Sequence, residues 1–259
     1  MSDLELSLRQ IRDSGSKSLV AYIMAGVRSD WPDLIRAVID GGADAVEVGL
    51  PFSDPMLDGP TIQLASRTAL DRGAQFEQIL DDLPDVSVPL VAMTYSNHLY
   101  SRGTTRFLNS LASAGISGSV IADLPFDESS SYRAAAESAG VDSILMVAPS
   151  TSADAARQIC ESAHGFVYYM GSMTPTGSFD GDGSDKWKLA DDLRAEARPP
   201  VLIGFGIDSP AKALKAAQKS DGVVVGSAFM APVLAGASAN TLRNLVEDFR
   251  RDLDTMRDQ

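Results

Sequence analysis

Eight short runs rich in Val and Ile, stretches of helical period between them, and a length of 259 residues predict an α/β protein closed into a single (β/α)8 barrel spanning residues 1–259. The runs are almost continuously apolar rather than alternating, as expected of parallel strands covered on both faces. Eight strand–helix units in a chain of this length suit a closed barrel better than an open doubly wound sheet.

The strands are expected at "LVAYIM" (19–24), "DAVEVGL" (44–50), "PLVAMTY" (89–95), "GSVIAD" (118–123), "SILMVA" (143–148), "GFVYYM" (165–170), "PVLIGFG" (200–206) and "GVVVGSA" (222–228). Helical period follows in "WPDLIRAVIDGG", "TIQLASRTALDRG", "TTRFLNSLASAG", "ESSSYRAAAESAG", "SADAARQICESA" and "SPAKALKAAQKS", and "NTLRNLVEDFRRDLDTM" makes the last helix. Several open on Ser, Thr, Asp or Glu and close on Gly, the usual start and stop residues. Linker-like and low-complexity stretches are missing. The longest Gly/Ser/Asp-rich segment, "GSMTPTGSFDGDGSDKW" (171–187), directly follows the sixth strand and reads as a mobile lid.

Composition narrows the function. A net charge of −13 argues against nucleic acid or an anionic membrane as partner. It leaves room for a small phosphorylated ligand, because main-chain N–H groups hold phosphate without cationic side chains. One cysteine, Cys160, permits no internal disulfide, and its setting "ARQICES" reads as a buried helical position. With His98 and His164 far apart, no cluster of soft metal ligands can be assembled, so no metal is expected. The charged, amphipathic start "MSDLELSLRQIRDSG" lacks the apolar core of a signal peptide, and no run approaches spanning length. A soluble, cytoplasmic protein is expected.

The chemistry should sit at the C-terminal ends of the strands. Glu47 lies in the second strand, near its C-terminal end, where an unpaired carboxyl has no easy route to water. Such a group has a raised pKa and suits proton transfer near neutrality. The alternative is an acid satisfied in the core or at the barrel rim. Asp58, in the loop that follows, is open to a second reading as a turn or cap acid, since "DGPT" is good turn chemistry. Asp54 in "FSDP" reads as a loop stabiliser through side-chain-to-backbone bonds. "GFGI" (204–207) and "GSA" (226–228) close the last two strands. There Gly allows close backbone approach, and a short helix starting near Ser227 would aim N–H groups at an anion. The alternative there is a pair of tight turns. His98 is expected in a loop, His164 at a helix end, and Arg102, Arg106 and the acids of "DDLPD" (81–85) on solvated faces.

With these residues in place, the chain resembles the tryptophan synthase alpha subunit family along nearly its whole length. The most specific piece is "EVGLPFSDP" followed by "DGPTIQ". "ADLPFDES" (122–129), "GFVYYM", "PTG" (175–177), "GFGI" and "GSA" then fall in the family's order. The resemblance implies retro-aldol cleavage of indole-3-glycerol phosphate to indole and glyceraldehyde 3-phosphate, without metal or organic cofactor. It implies Glu47 and Asp58 as the catalytic acids, with phosphate on the N–H groups of Gly177, Gly206, Gly226 and Ser227. Tyr168 would lie near the glutamate, and Thr176 would meet the aspartate when the lid closes. Tyr22, Met93, Val120, Ala122, Phe205 and Ile207 would line the indole slot, with ordinary core packing as the alternative for each.

The resemblance also implies a pyridoxal-phosphate beta subunit as partner. Departures from the family pattern fall in loops: "AGVR" (25–28) for the usual Gly-Asp-Pro, "YSNHLYSRG" (95–103) where Asn-Pro is common, "GSMTPTG" in the lid, and Leu57 for a common Ala. They imply intact chemistry with altered docking and gating. Two other readings stay open, a stand-alone indole-glycerol-phosphate lyase and a weakly catalytic, ligand-binding activator of a partner.

Overall fold

The computed structural model describes residues 2–171, 187–196 and 199–257. Strands β1 (Ser18–Met24), β2 (Ala45–Gly49), β3 (Leu90–Thr94), β4 (Ile116–Ile121), β5 (Asp142–Val147), β6 (Val167–Met170), β7 (Val201–Gly204) and β8 (Gly222–Val225) close in sequence order into a parallel barrel, β8 pairing with β1. All eight lie where the apolar runs place them. β8 ends before the expected 228 because Gly226 becomes the N-cap of the next helix.

The helices are α1 (Asp3–Asp13), α2 (Trp31–Asp40), α3 (Pro60–Asp71), α4 (Phe76–Asp81), α5 (Ser96–Arg102), α6 (Thr104–Ser113), α7 (Ser130–Ala139), α8 (Ala153–Ser162), α9 (Lys188–Glu196), α10 (Pro210–Ala217), α11 (Ser227–Leu234) and α12 (Ala239–Asp254). Local chemistry sets their ends. Ser152 and Ser238 accept the N–H of Ala155 and Thr241 at the starts of α8 and α12. Proline occupies the first turn of α2, α3 and α10, where its missing N–H costs nothing. Buried Leu242, Val246, Phe249 and Leu253 recur every three or four positions along α12 and form its core face. That face meets α2 at Gly41, where a Cβ would stand 2.7 Å from both the Arg243 carbonyl and Val246.

Helices α1, α4, α5 and α9 were not among those expected. Among the residues of α5 only Leu99 is fully buried, so there is no apolar stripe to read. His98 therefore lies in a helix and not a loop, edge-on to the rings of Phe52 and Phe76. Arg102, expected on a solvated face, stacks 4.4 Å over the Phe76 ring and pairs with Glu77. Arg106 is exposed, as expected, and Cys160 is buried in α8. His164 follows the end of α8.

Strand register decides what fills the barrel. Tyr22 pairs with Glu47, Glu47 with Val91, Met93 with Val120, Ile144 with Val120, Met146 with Tyr168, and Tyr168 with Leu202. Paired residues in a parallel ladder share a face, so this ring points to one side. The polar members, Tyr22, Glu47 and Tyr168, act on one another electrostatically although they come from β1, β2 and the distant β6. Only the barrel interior permits that. α1 closes the opposite, N-terminal mouth, with Leu4 against Gly118 of β4 and against Gly165. Among the described residues no helix is long and apolar enough to cross a membrane.

Candidate active site

Glu47 is the centre of β2, one turn of the pleat deeper than the C-terminal position expected for it. It is 2% exposed, and its Oε1 is buried with no hydrogen-bond partner. Val46 and Val48 on either side point to the outer helices, so strand parity alone turns the carboxyl inward. Burial, followed by the charge of Asp58, pushes its pKa up to about 8. The satisfied core acid is thereby ruled out for Oε1. The direction of the shift favours the protonated acid around neutral pH.

Asp58 is buried near enough for its charge to act on Glu47. It is 6% exposed, while Ser53, Asp54, Met56 and Leu57 before it are exposed. A turn does form, Asp58 N–H donating to the Pro55 carbonyl at 3.0 Å. The N-cap of α3 is Gly59, however, so the Asp58 carboxylate is not a cap. Its Oδ2 instead accepts the Tyr95 hydroxyl at 3.0 Å. Burial raises its pKa to about 6, with the Tyr95 bond pulling the other way. Asp58 is thus ionised and Glu47 protonated in the same pH range, and the charge of one helps keep the proton on the other. Asp54 is exposed, and its main-chain carbonyl accepts from Met56 N–H.

Two phenols flank the acids. Tyr22 and Tyr168 are buried, and desolvation with the neighbouring carboxyls pushes both well above the usual tyrosine range, so both keep their protons. Each ring lies over a glycine on the neighbouring strand. A Cβ on Gly49 would stand 2.0 Å from the Tyr22 oxygen, and one on Gly204 would stand 2.3 Å from that of Tyr168. These glycines are the space the rings need. Met93 and Val120 are buried on the inward face beside them, and Ala122 is half-buried just past β4.

Beyond β7, Phe205 sets its ring edge-on to Tyr168 with centroids 5.7 Å apart. Phe205 and Gly206 both adopt positive φ, 65° and 77°. Among the described residues Phe205 is the one non-glycine with this backbone, a strained turn of the kind found at binding sites. Ile207 is buried behind it. Gly226 packs beside Tyr22 and caps α11, whose first residue is Ser227, and both are half-exposed. The first N–H groups of a helix have no partner within it, so those of α11 open at this mouth. Strands β7 and β8 therefore end in a glycine turn and a helix start side by side. Thr176 and Gly177, and most of the expected lid, lie outside the described residues.

Tyr95, which supports Asp58, was missed by sequence reading. The available sign was its position one residue past β3, where a barrel places functional side chains.

The family model of the tryptophan synthase alpha chain matches residues 8–258 of this chain. The chain belongs to the tryptophan synthase alpha chain family. The alpha chain of Xanthomonas campestris is 36% identical to it over 255 residues, covering 94% of this chain and 92% of the relative. That of Geobacter sulfurreducens is 37% identical over 240 residues, covering 89% of each. Among solved structures, Mycobacterium tuberculosis tryptophan synthase superposes with a TM-score of 0.88 at 32% identity, covering 97% of this chain and 98% of that one. The alpha chain fold is thus shared end to end with relatives of the same description.

Proposed function

We propose that Glu47 and Asp58 perform the alpha-chain reaction in this protein, and that the N–H groups at the ends of β7 and β8 hold the substrate's phosphate. The reaction is a lyase step of tryptophan biosynthesis: indole-3-glycerol phosphate is cleaved to indole and glyceraldehyde 3-phosphate. The observation that carries the assignment is a pair of buried carboxyls inside the barrel, Glu47 with an unpartnered Oε1 and Asp58 held by the Tyr95 hydroxyl.

Cleavage needs a proton on indole C3, which Glu47 supplies. The ring then carries positive charge at its nitrogen, where ionised Asp58 stabilises the N–H. Glu47, now a carboxylate, accepts the proton of the side-chain hydroxyl. As that carbon becomes an aldehyde, the C3–C3′ bond breaks and its electron pair returns to the ring, neutralising the nitrogen. Indole leaves with its new C3 hydrogen, and Glu47 has recovered its proton. Tyr22, Met93, Val120, Ala122, Phe205, Ile207 and Tyr168 form the apolar slot for the ring. Gly206, Gly226 and Ser227, with Gly177 from the lid, supply donors to the phosphate. Thr176 would reach Asp58 on closure.

Alpha chains work with a beta subunit. Exposed Met56 and Leu57, on the loop that follows β2 and carries Asp58, and exposed Tyr100 of α5, which follows β3, offer apolar surface for docking. A reducing, cytoplasmic location agrees with one buried thiol and with the biosynthetic role.

The test is indole release from indole-3-glycerol phosphate by the purified chain, with and without a beta subunit, across pH. A bell-shaped kcat/KM with limbs near 6 and 8 is expected, since Asp58 must be ionised and Glu47 protonated. Addition of the beta subunit should raise the rate. No indole under either condition would overturn the assignment, and a free rate indifferent to the beta subunit would point to a stand-alone lyase.

A further inference from the structure

The loop carrying Asp58 is mostly solvent-exposed, yet its one reacting carboxylate must keep a fixed direction. A single hydroxyl bears on both. Tyr95 O–H donates to Asp58 Oδ2 at 3.0 Å, and the same oxygen accepts the N–H of Leu57 at 3.2 Å. A phenol has one proton to donate and lone pairs to accept, so both bonds form together.

Tyr95 is itself held from two further sides. Its ring stacks on Phe52 with centroids 5.1 Å apart, and Ser66 of α3 clamps the Phe52 main chain by bonds of 2.8 and 2.7 Å. The next residue, Ser96, gives its N–H and hydroxyl to Asp123 beyond β4, at 2.6 and 2.8 Å. The hydroxyl is thus fixed to the loops after β2, β3 and β4 at once.

We propose that Tyr95 is the positioning residue for Asp58, tying the carboxylate to the rim of β3 and to the main chain of its own loop so that one oxygen stays directed to the substrate N–H. The inference rests on the assignment of Asp58 above. With Oδ2 engaged, Oδ1 is the oxygen for the indole nitrogen. The charge of Asp58 acts on Glu47 from β2, Tyr22 from β1 and Tyr168 from β6, and Asp123 beyond β4 acts on the Tyr95 phenol. On Asp58 itself the two causes are burial, which favours the neutral acid, and the Tyr95 hydroxyl, which opposes it. The Tyr95 hydrogen bond is therefore what favours the ionised form against burial.

Indole release by Tyr95→Phe, followed across pH, tests this. The variant keeps the ring stack. It should lower kcat about tenfold with little change in KM, and move the acid limb of kcat/KM upward by about one pH unit, the worth of one hydrogen bond to a charged group. A purely structural role would lower activity without moving the limb. Should Tyr95→Phe fail to fold, 3-fluorotyrosine at position 95 keeps the shape and makes a stronger donor, so the limb should move downward. An unmoved limb in the measurable variant overturns the proposal. Asp58→Asn, assayed in parallel, separates the two claims. If it is inactive while the limb stays put, only Tyr95 loses its role, and if it turns over normally, the assignment of Asp58 and this inference fall together.

Discussion

Glu47→Gln should abolish indole formation, lowering kcat by about 10³-fold or more, and should at the same time change how stability depends on pH. The first effect follows because Gln can neither give a proton to C3 nor take one from the hydroxyl. The second follows from linkage. A carboxyl whose pKa rises from 4.5 in the unfolded chain to about 8 in the fold binds more protons folded than unfolded. Stability then falls as pH rises from the lower value through the higher one, by of order 5 kcal/mol once Glu47 is ionised. Gln carries no such dependence. Its amide costs about 1–3 kcal/mol if left unsatisfied, at every pH. The variant should therefore gain on the wild type steadily between pH 5 and pH 9 in denaturant unfolding. A stability difference that stays flat with pH would mean that Glu47 is not held protonated.

Asp58→Asn should cost kcat about 10²- to 10⁴-fold while leaving KM nearly unchanged. Asparagine keeps the shape and can still accept the Tyr95 hydroxyl, but it brings no charge to the indole nitrogen. The phosphate is held elsewhere, so binding should survive. The charge of Asp58 is also a cause of the raised pKa of Glu47. The basic limb of the residual activity should accordingly move to lower pH. Turnover within a few-fold of wild type would remove Asp58 from the chemistry.

Much of this was legible in the sequence because it is written in short-range patterns. The apolar runs locate the strands, and an acid within one of them, Glu47, stands out against its neighbours. The Gly-Ser start of α11 is a local arrangement too, and it appears where expected. Asp58 was ambiguous because turn chemistry and a buried role use the same residues. Its burial and its contact with Tyr95, 37 positions away, separate them. Tyr95 itself looked like one more aromatic at a strand end. The short helices α4 and α5 escaped because few of their side chains are buried, and that also hid the packing of His98 and Arg102 on Phe76. The seating of Tyr22 and Tyr168 over Gly49 and Gly204 needs strand register, which no single run reveals.

The chemistry depends on a proton held by Glu47 in the barrel at neutral pH. Carbon-13 NMR of protein labelled at the glutamate side-chain carboxyl, with Glu47→Gln to assign the resonance, measures this directly. A carboxyl titrating with a midpoint near 8 is the expected result. A midpoint near the ordinary 4.5 would leave Glu47 ionised at neutral pH and contradict its role as proton donor.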